Sequence, residues 1–276
     1  MRVLICTDGS STAEQSAALV SRLFLSTNAE VTLLGVSETD GDQVGLEASF
    51  ERCEGLLGVA GGPVNRKIRY GDPAEQILNE VEEKPADLVA IGARVQPRTL
   101  GGVKLGATTH KLARLLRLPL LTARYVPARV EKILICTAAE EPSHTTLRVG
   151  GAMIAPAGSE VNLLHVMSQL ALRLDSPSDD LRDTAKTAIA RKTREGQHLM
   201  QAMQVLHKSG ITSPIEPHIR HGLVVDEVLA ELEEGKYDLL VIGRHYKKSA
   251  SRWLAILLED VTGQLLARAS CSVLTI

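Results

Sequence analysis

The sequence predicts an α/β protein made of two doubly wound parallel five-stranded sheets. Three observations favour this fold: short apolar runs bounded by Gly, Pro or Asp, amphipathic helical patterns between those runs, and the recurrence of the same element order in both halves of the chain. Short apolar runs of this kind are typical of buried parallel strands, and their alternation with helices is typical of a doubly wound sheet. The 276 residues, 44% of them hydrophobic and with a formal net charge of −2, suit two domains of ordinary size.

In the first half of the chain, five apolar runs are predicted as strands. They are Val3–Thr7, Glu30–Val36, Val64–Arg69, Leu88–Ile91 and Leu120–Tyr125. Helices are predicted between them, from Ser11 to about Leu25, from about Val44 to Val59, from Pro73 onward and through Leu112–Leu118. Ser11 and Glu14 have the spacing of a capping box, and Pro73 suits the first turn of a helix.

The second half repeats this pattern. Leu134–Thr137 repeats Leu4–Thr7, Glu160–Val166 repeats Glu30–Val36, Ile219–Gly243 follows Ile68–Gly92 without a gap, and Ser272–Ile276 closes the second copy as Leu120–Ala123 closes the first. We therefore predict two domains, 1–127 and 128–276. The second copy is longer between its second and third strands, where Asp175–Ser209 is predicted as a polar turn followed by one long amphipathic helix.

Several classes of function are disfavoured by composition. The near-neutral charge and the 3% aromatic content give no reason to expect nucleic-acid binding, and no apolar run reaches the length of a membrane span. The four widely spaced cysteines form no CxxC pair, so we predict that they are reduced and buried in a cytoplasmic protein. No metal site is predicted, because His218 and His221 would point to opposite faces of a strand.

Two features at the predicted carboxyl edge of the first sheet could bind a ligand. The loop that follows Leu88–Ile91 contains three glycines and three basic residues before a helix start, which suits either a phosphate cradle or a solvated surface loop; these residues are Gly101, Gly102, Gly106, Arg94, Arg98 and Lys104. Asp8 follows the first strand, where it could contact a ligand or form a turn with the backbone ahead of the first helix.

The chain resembles the universal stress protein family in its tandem two-domain form. The resemblance depends on the strand and Asp-Gly-Ser turn at Val3–Ser10, on Gly71-Asp72-Pro73-Ala74, on the loop from Ile91-Gly92 to Leu105-Gly106, and on the closing strand after Ala269. It implies an adenine nucleotide alpha hydrolase-like fold with strand order 3-2-1-4-5 in each domain. It also implies an intramolecular pseudo-dimer joined through the last strands, with further association into homodimers left open.

The resemblance further implies an adenine nucleotide, ATP or AMP, with or without Mg²⁺. The positions that match the family's binding residues are Cys6, Asp8, Val36, Ile91, Gly92, Gly106, Ala107, Thr108 and Thr109. The match is incomplete, because the family's Gly-x2-Gly-x9-Gly-Ser/Thr loop has Val95 or Gln96 at its second glycine and Ala107 at its hydroxyl. Cys6 and Cys136 occupy equivalent strand ends, which favours packing over catalysis.

The second copy departs further from the family pattern. Ala138 occupies the place of Asp8, and Glu259 and Asp260 lie where the loop would hold a phosphate. Like charges at close range disfavour a phosphate there. The basic run Arg244–Lys248 could bind an anion, but its interpretation as a solvated basic loop is favoured. We therefore expect a degenerate second site.

The leading hypothesis is a stress-response or regulatory protein that binds a nucleotide in its first domain and uses the second as a structural partner. Hydrolysis would be slow at most, because no general base is identifiable near the loop. The alternative hypothesis is a protein-interaction module that has lost nucleotide binding in both domains. An adenylating enzyme is disfavoured, because the chain lacks an added catalytic domain.

Overall fold

A computed structural model describes residues 1–24, 29–38, 43–58, 64–93, 95–97, 103–138, 142–167, 184–244 and 261–276. The described residues form two compact units. The first contains Met1–Val130 and Cys271–Thr275, and the second contains Glu131–Ser270 and Ile276. Because the first unit is discontinuous in the chain, the predicted domain boundary between residues 127 and 128 stays a prediction. None of the helices in these ranges combines the length and the apolar character needed to cross a membrane.

The first unit alternates strands and helices. Its elements are β1 (Arg2–Thr7), α1 (Ser11–Phe24), β2 (Glu30–Ser37), α2 (Gln43–Leu57), β3 (Val64–Tyr70), α3 (Pro73–Glu83), β4 (Leu88–Gly92), β5 (Val95–Pro97), β6 (Val103–Leu105), α4 (Ala107–Leu115) and β7 (Leu120–Ala123). The five predicted strands are confirmed. The helix at α4 ends before the predicted Leu118, because Leu116 is already extended and Pro119 disfavours helical backbone before it.

The strands of the first unit follow the order β3-β2-β1-β4-β7, and all of these pairs are parallel. This is the 3-2-1-4-5 order that the resemblance implied. Helix α1 packs against α2, and α3 packs against α4. Apolar side chains of β1, β2 and β4 pack against α3 and α4 in one core cluster, which includes Cys6, Val36, Ile77 and Ile91.

One further strand completes the first unit. β12 (Ser272–Thr275), the last strand of the second repeat, pairs antiparallel with β7, with Val273 opposite Thr122. The last strands of the two repeats are thus paired, as the resemblance implied. The structure differs here from the predicted separate five-stranded sheets, because β12 lies in the same sheet as the strands of the first unit.

Two helix starts in the first unit test the predicted caps. The Asp72 side chain accepts a hydrogen bond from Glu75 N at 2.9 Å, and Pro73 occupies the first turn of α3 as predicted. At α1 the capping side chain is Ser10, whose Oγ accepts from Ala13 N at 3.3 Å. The predicted capping box at Ser11 is therefore wrong by one residue.

The loop between β4 and α4 contains an antiparallel ribbon that the sequence analysis did not predict. β5 pairs with β6, and Gln96 lies opposite Lys104. Each of these strands has only three residues. Such short runs carry no clear period-two pattern, so the glycines led to the prediction of a loop without strands.

The second unit repeats the alternation with a longer helical insertion. Its elements are β8 (Lys132–Thr137), α5 (Pro142–Thr145), a π-helical turn (Thr146–Gly150), α6 (Gly151–Ile154), a 3₁₀ turn (Ala155–Ala157), β9 (Glu160–Met167), α7 (Ala185–Arg191), α8 (Arg194–Lys208), β10 (Ile215–His221), α9 (Val224–Gly235), β11 (Leu239–Ile242) and α10 (261–268). The strand order is β10-β9-β8-β11. Beyond β11, Ile276 N donates to Ile242 O at 2.9 Å.

The predicted long helix within Asp175–Ser209 is wrong over its described part, residues 184–209. The chain there forms two helices, because Lys192 adopts a left-handed conformation with φ of 56° and ends α7. Thr193 then starts α8, where its side chain accepts from Gly196 N at 3.2 Å. The helices pack closely, since a Cβ on Gly196 would lie 2.1 Å from Ala188 O. The predicted turn at Ser176–Ser178 lies outside the described residues.

Candidate functional site

A cavity of about 540 Å³ opens at the carboxyl edge of β1, β2 and β4 in the first unit. Its volume lies in the range of roughly 300–1,000 Å³ that is usual for small-molecule sites. Its lining is Cys6, Thr7, Asp8, Ser10, Thr12, Ala13, Val36, Glu38, Pro73, Ile77, Ile91, Gly92, Gly106, Ala107, Thr108 and Thr109. All nine residues marked by the sequence analysis are in this set. Their role in binding stays a prediction.

The floor of the cavity is apolar core. Cys6, Val36 and Ile91 are 5–6% exposed and belong to the core cluster under α3 and α4. Burial raises the pKa of the Cys6 thiol far above its ordinary value, and the nearby Glu80 carboxylate adds to the effect. The thiol is therefore protonated and acts as a small apolar group. This agrees with the interpretation of Cys6 as a packing residue.

Asp8 has a local structural role at the rim of the cavity. Its Oδ1 accepts hydrogen bonds from Ser10 N at 3.1 Å and from Ser10 Oγ at 2.6 Å. This is the turn that was one of the two interpretations of Asp8. Because the side chain is exposed and lines the cavity, its carboxylate can also accept from a ligand.

The first turn of α4 lines the cavity. Gly106 precedes the helix with φ of −58° and ψ of 147°, and its helix start has no side-chain cap among the described residues. The first amides of a helix lack intrahelical acceptors and bind anions well. Ala107, Thr108 and Thr109 all line the cavity, so these amides and the threonine hydroxyls can contact an anionic group.

Gly92, at the end of β4, is required by packing. A Cβ at this position would lie 2.3 Å from Thr12 O and 2.8 Å from Ala13 Cα, both in the backbone of α1. A glycine here therefore allows α1 to approach β4. Its presence does not by itself indicate that a phosphate is bound.

The described cation nearest the start of α4 in sequence, Lys111, is already paired. Its Nζ lies 2.9 Å from Glu75 Oε1 and 3.1 Å from Asp72 Oδ1, and these partners raise the pKa of Lys111. The other basic candidates were in the loop. Arg94, Arg98, Gly101 and Gly102, and the side chain of Lys104, lie outside the described residues.

The lining residues that were not predicted from the sequence are Thr7, Ser10, Thr12, Ala13, Glu38, Pro73 and Ile77. Glu38 immediately follows β2, as Asp8 follows β1, so both reach the carboxyl edge of the sheet. That position after a strand was the available signal. Pro73 lines the cavity because α3 begins beside it, which its helix-start motif did not reveal.

The corresponding cavity in the second unit is much smaller, about 80 Å³. It is lined by Cys136, Thr137, Ala138, Thr146, Val224, Val228, Ile242, Gly243, Arg244, Val261, Thr262 and Leu265. Ala138 lies in its wall, at the place that Asp8 has in the first unit. A volume of about 80 Å³ is well below the usual range for a small-molecule site.

The basic run and the acids predicted at this edge of the second unit are described only in part. Arg244 is 8% exposed, so its interpretation as part of a solvated basic loop is wrong. His245–Lys248, Glu259 and Asp260 lie outside the described residues, and the predicted repulsion of a phosphate by these acids stays a prediction. Cys136 is half-buried, whereas the other three cysteines are buried, and all four are free.

The sequence profile of the universal stress protein family matches residues 1–124 and 129–276. The chain belongs to the universal stress protein family. Its two matched segments correspond to the two repeats. No curated protein sequence matches the chain significantly.

Solved structures of other universal stress proteins share the fold. One from Archaeoglobus fulgidus DSM 4304 is 16% identical to this chain and has a TM-score of 0.68. The alignment covers 99% of this chain and 97% of the other. One from Pseudomonas aeruginosa UCBPP-PA14, described as a putative universal stress protein, is 14% identical, covers 100% and 92%, and has a TM-score of 0.69. At these identities the likeness concerns the fold alone.

The second repeat of this universal stress protein has a distinct polar network on β10. His218 Nδ1 lies 3.1 Å from Glu231 Oε1, and this hydrogen bond raises the pKa of His218. Burial alone would raise the pKa of Glu231, but hydrogen bonds from His218, Arg220 and Tyr237 outweigh it and hold the pKa at about 2. The described residues contain no group of three potential metal ligands. The Nδ1 of His218 is engaged with Glu231.

Proposed function

We propose that the first unit binds an adenine nucleotide, ATP or AMP, and that the protein is a nucleotide-responsive regulator in a stress response. The observation that carries this proposal is the cavity of about 540 Å³, whose wall contains all nine residues that match the family's binding positions. The four free cysteines agree with a reducing compartment, and we propose the cytoplasm.

In the proposed complex the base packs on the apolar floor between Val36 and Ile91. The carboxylate of Asp8 accepts hydrogen bonds from the base or the ribose hydroxyls. The phosphates lie at the start of α4, where the amides of Ala107 to Thr109 donate to them. Mg²⁺ would enter bound to the phosphates of ATP. We expect slow hydrolysis at most, because the Asp8 carboxylate is already hydrogen-bonded by Ser10.

The second unit is proposed as a structural partner without a nucleotide. Its cavity of about 80 Å³ is too small for a nucleotide, and Ala138 offers no side-chain acceptor in the place of Asp8. The full chain should therefore bind one nucleotide. Titration calorimetry of the full chain with ATP and with AMP, each with Mg²⁺, measures this stoichiometry directly.

Two substitutions separate the ligand contacts from the local structure. Asp8→Asn keeps an oxygen that can accept from Ser10 N, but it removes the charge. Ala107→Pro removes one amide donor at the first position of α4, where proline is tolerated and where the extended Gly106 suits a following proline. Each should weaken nucleotide binding about 10- to 100-fold, since a hydrogen bond to a charged group contributes roughly 1.5–3 kcal/mol.

The matched control is Ala138→Asn, which changes the equivalent position of the second unit. It should leave the affinity unchanged, and both site variants should unfold at the wild-type urea concentration. The proposal fails if the wild-type chain binds neither nucleotide at millimolar concentration.

A protein-interaction module is the second candidate, and two observations favour it. Gly92 is required by the approach of Thr12, and Asp8 completes a turn with Ser10, so both residues have reasons to be present without a ligand. This candidate predicts no change in melting temperature with nucleotide. Binding at 100 times the dissociation constant would instead stabilise the chain by about 2.7 kcal/mol.

A further inference from the structure

Two histidines contact each other inside the second unit. His165 is on β9 and only 7% exposed, and His198 is on the facing helix α8. Their ring centroids are 5.2 Å apart, and the rings are inclined by 58°. We call His165 and His198 the histidine pair.

Both members of the histidine pair are held by Thr137 at the end of β8. His165 Nδ1 lies 3.1 Å from Thr137 O, and because a carbonyl only accepts, Nδ1 carries a proton. His198 Nε2 lies 3.1 Å from Thr137 Oγ1. Neutral imidazoles satisfy both hydrogen bonds. A further proton on each ring would place two positive charges beside each other in a largely buried contact.

The groups around the histidine pair come from three elements. Glu195 and Arg194 are in the first turn of α8, His221 ends β10, and His144 is in α5. Glu195 is the one anion among these groups, and Arg194 is a cation. Burial lowers the pKa of His198 to about 4, and His165 and His144 contribute to the shift. Burial also lowers the pKa of His165, while its bond to Thr137 O and Glu195 oppose that effect.

The first unit has an uncharged contact at the same place. Gly35 replaces His165 there, and its hypothetical Cβ would lie 2.9 Å from Phe50 Cζ, so the aromatic ring of α2 packs on the strand. Thr7, the counterpart of Thr137, shares a hydrogen bond of 2.8 Å with Ser49 Oγ. The contact between strand and helix therefore lacks a titratable side chain at these positions in the first unit.

We propose that the histidine pair makes the second unit acid-sensitive: as the pH falls from about 7 to 5, a form in which α8 is locally separated from β9 and His165 and His198 are protonated becomes more populated. The first unit does not respond in this range. This inference does not depend on nucleotide binding.

The sign follows from linkage. Both histidines have a pKa below the unfolded value of about 6.5, so an opened second unit binds more protons than the closed one. The stabilisation of the closed second unit by the pair is complete above pH 6.5 and is lost as the pH falls toward the lowered pKa values of the two histidines. Each group can increase the opening equilibrium constant by up to about tenfold for each unit of pH in that interval.

Hydrogen exchange of the full chain at pH 7 and pH 5 tests the proposal. After correction for the intrinsic exchange rates, the opening constant of the α8 amides should rise at least about tenfold in the wild type. The amides of α2, the equivalent helix of the first unit, should change less than about twofold. Equal protection of α8 at both pH values would overturn the proposal.

Variants of the pair locate the effect. In the double variant His165→Asn, His198→Gln, the two amide groups can keep the bonds to Thr137 without titrating, so the pH dependence of α8 should disappear. The control His207→Gln changes another histidine of the same helix, whose Nδ1 lies 2.9 Å from Ile211 O, and should keep the wild-type pH dependence. If α8 of the double variant loses as much protection between pH 7 and pH 5 as α8 of the wild type, the proposal is contradicted.

A measurement on the wild type alone covers the case in which the double variant does not fold. An NMR titration of the imidazole protons should give midpoints below 6.5 for both His165 and His198. Midpoints at or above 6.5 for both residues would overturn the proposal.

Discussion

The first unit keeps a cavity of about 540 Å³ at its carboxyl edge, whereas the second unit keeps about 80 Å³ at the equivalent place. Both edges have a threonine at the end of the first strand and a glycine at the end of the fourth. They differ in Asp8 against Ala138 and in Gly35 against His165. The comparison shows that a residue kept in both units can be explained by folding, so the differing positions say more about function.

The glycines at the ends of β4 and β11 should give the largest difference between the two units. We expect Gly92→Ala to cost about 3 kcal/mol or more of unfolding free energy, because the new Cβ would meet the backbone of Thr12 and Ala13. Gly243→Ala should cost about 1 kcal/mol, because the new Cβ would meet the Thr146 side chain, which can rotate. Urea unfolding of the two variants measures the difference. Equal costs would show that the two glycines have the same role.

A repeated ion pair under the edge strands tests what the units share. Arg69 lies 2.7 Å from Glu80 and Arg220 lies 2.6 Å from Glu231, and both glutamate residues are at most 4% exposed. Replacing either arginine by methionine should cost about 2 kcal/mol, because a buried carboxylate loses one of its partners. The cost should be smaller than that of leaving a buried carboxylate without any partner, since Lys67 and His218 still pair with these carboxylates.

Arg52→Met is the control for these arginine variants. Arg52 is 2.7 Å from Glu14, but half of its side chain is exposed, so its loss should change stability by less than about 1 kcal/mol. If only one of Arg69→Met and Arg220→Met were destabilising, the two ion pairs would not be equivalent.

Lys67 of the first unit and His218 of the second occupy equivalent positions, and we expect only a small difference in how their ion pairs depend on pH. The pKa of His218 is raised by Glu231, so its contribution is complete below about pH 6.5 and is lost as the pH rises through the raised value. Between pH 6 and pH 9 the wild type should lose at most about 1 kcal/mol through this pair. The His218→Lys variant should lose less, as judged by urea unfolding at both pH values. A larger loss in the variant would refute the assignment.

The strands followed from local apolar patterns, whereas the nine residues marked in the wall of the cavity came from the resemblance to the family. Val36 and Ile91 end buried strands, and Gly106 precedes a helix, so the topology brings them together. The break at Lys192 was not predictable in this way. A left-handed lysine carries no sequence signal, and the close approach of Gly196 to Ala188 is a tertiary contact.

The histidine pair was also missed, for a related reason. His165 repeats the place of Gly35 in the strand, but its partner His198 lies in the segment between the second and third strands, which is longer in the second repeat, so the repeat alignment gives no counterpart residue for it. Pairing of this kind depends on which helix covers which strand. The burial of Arg244 likewise depends on tertiary packing, which a run of basic letters does not reveal.

The place of β12 has a consequence for the order in which the protein can be completed during synthesis. The amide of Arg124, just after β7, is hydrogen-bonded by Ser272 Oγ, a residue 148 positions later. While the ribosome makes the intervening residues, β7 has an open edge that can pair with other chains. Contacts of such separation form slowly. The first unit is thus translated early but finished late, and the interval is when a nascent chain is most exposed to aggregation.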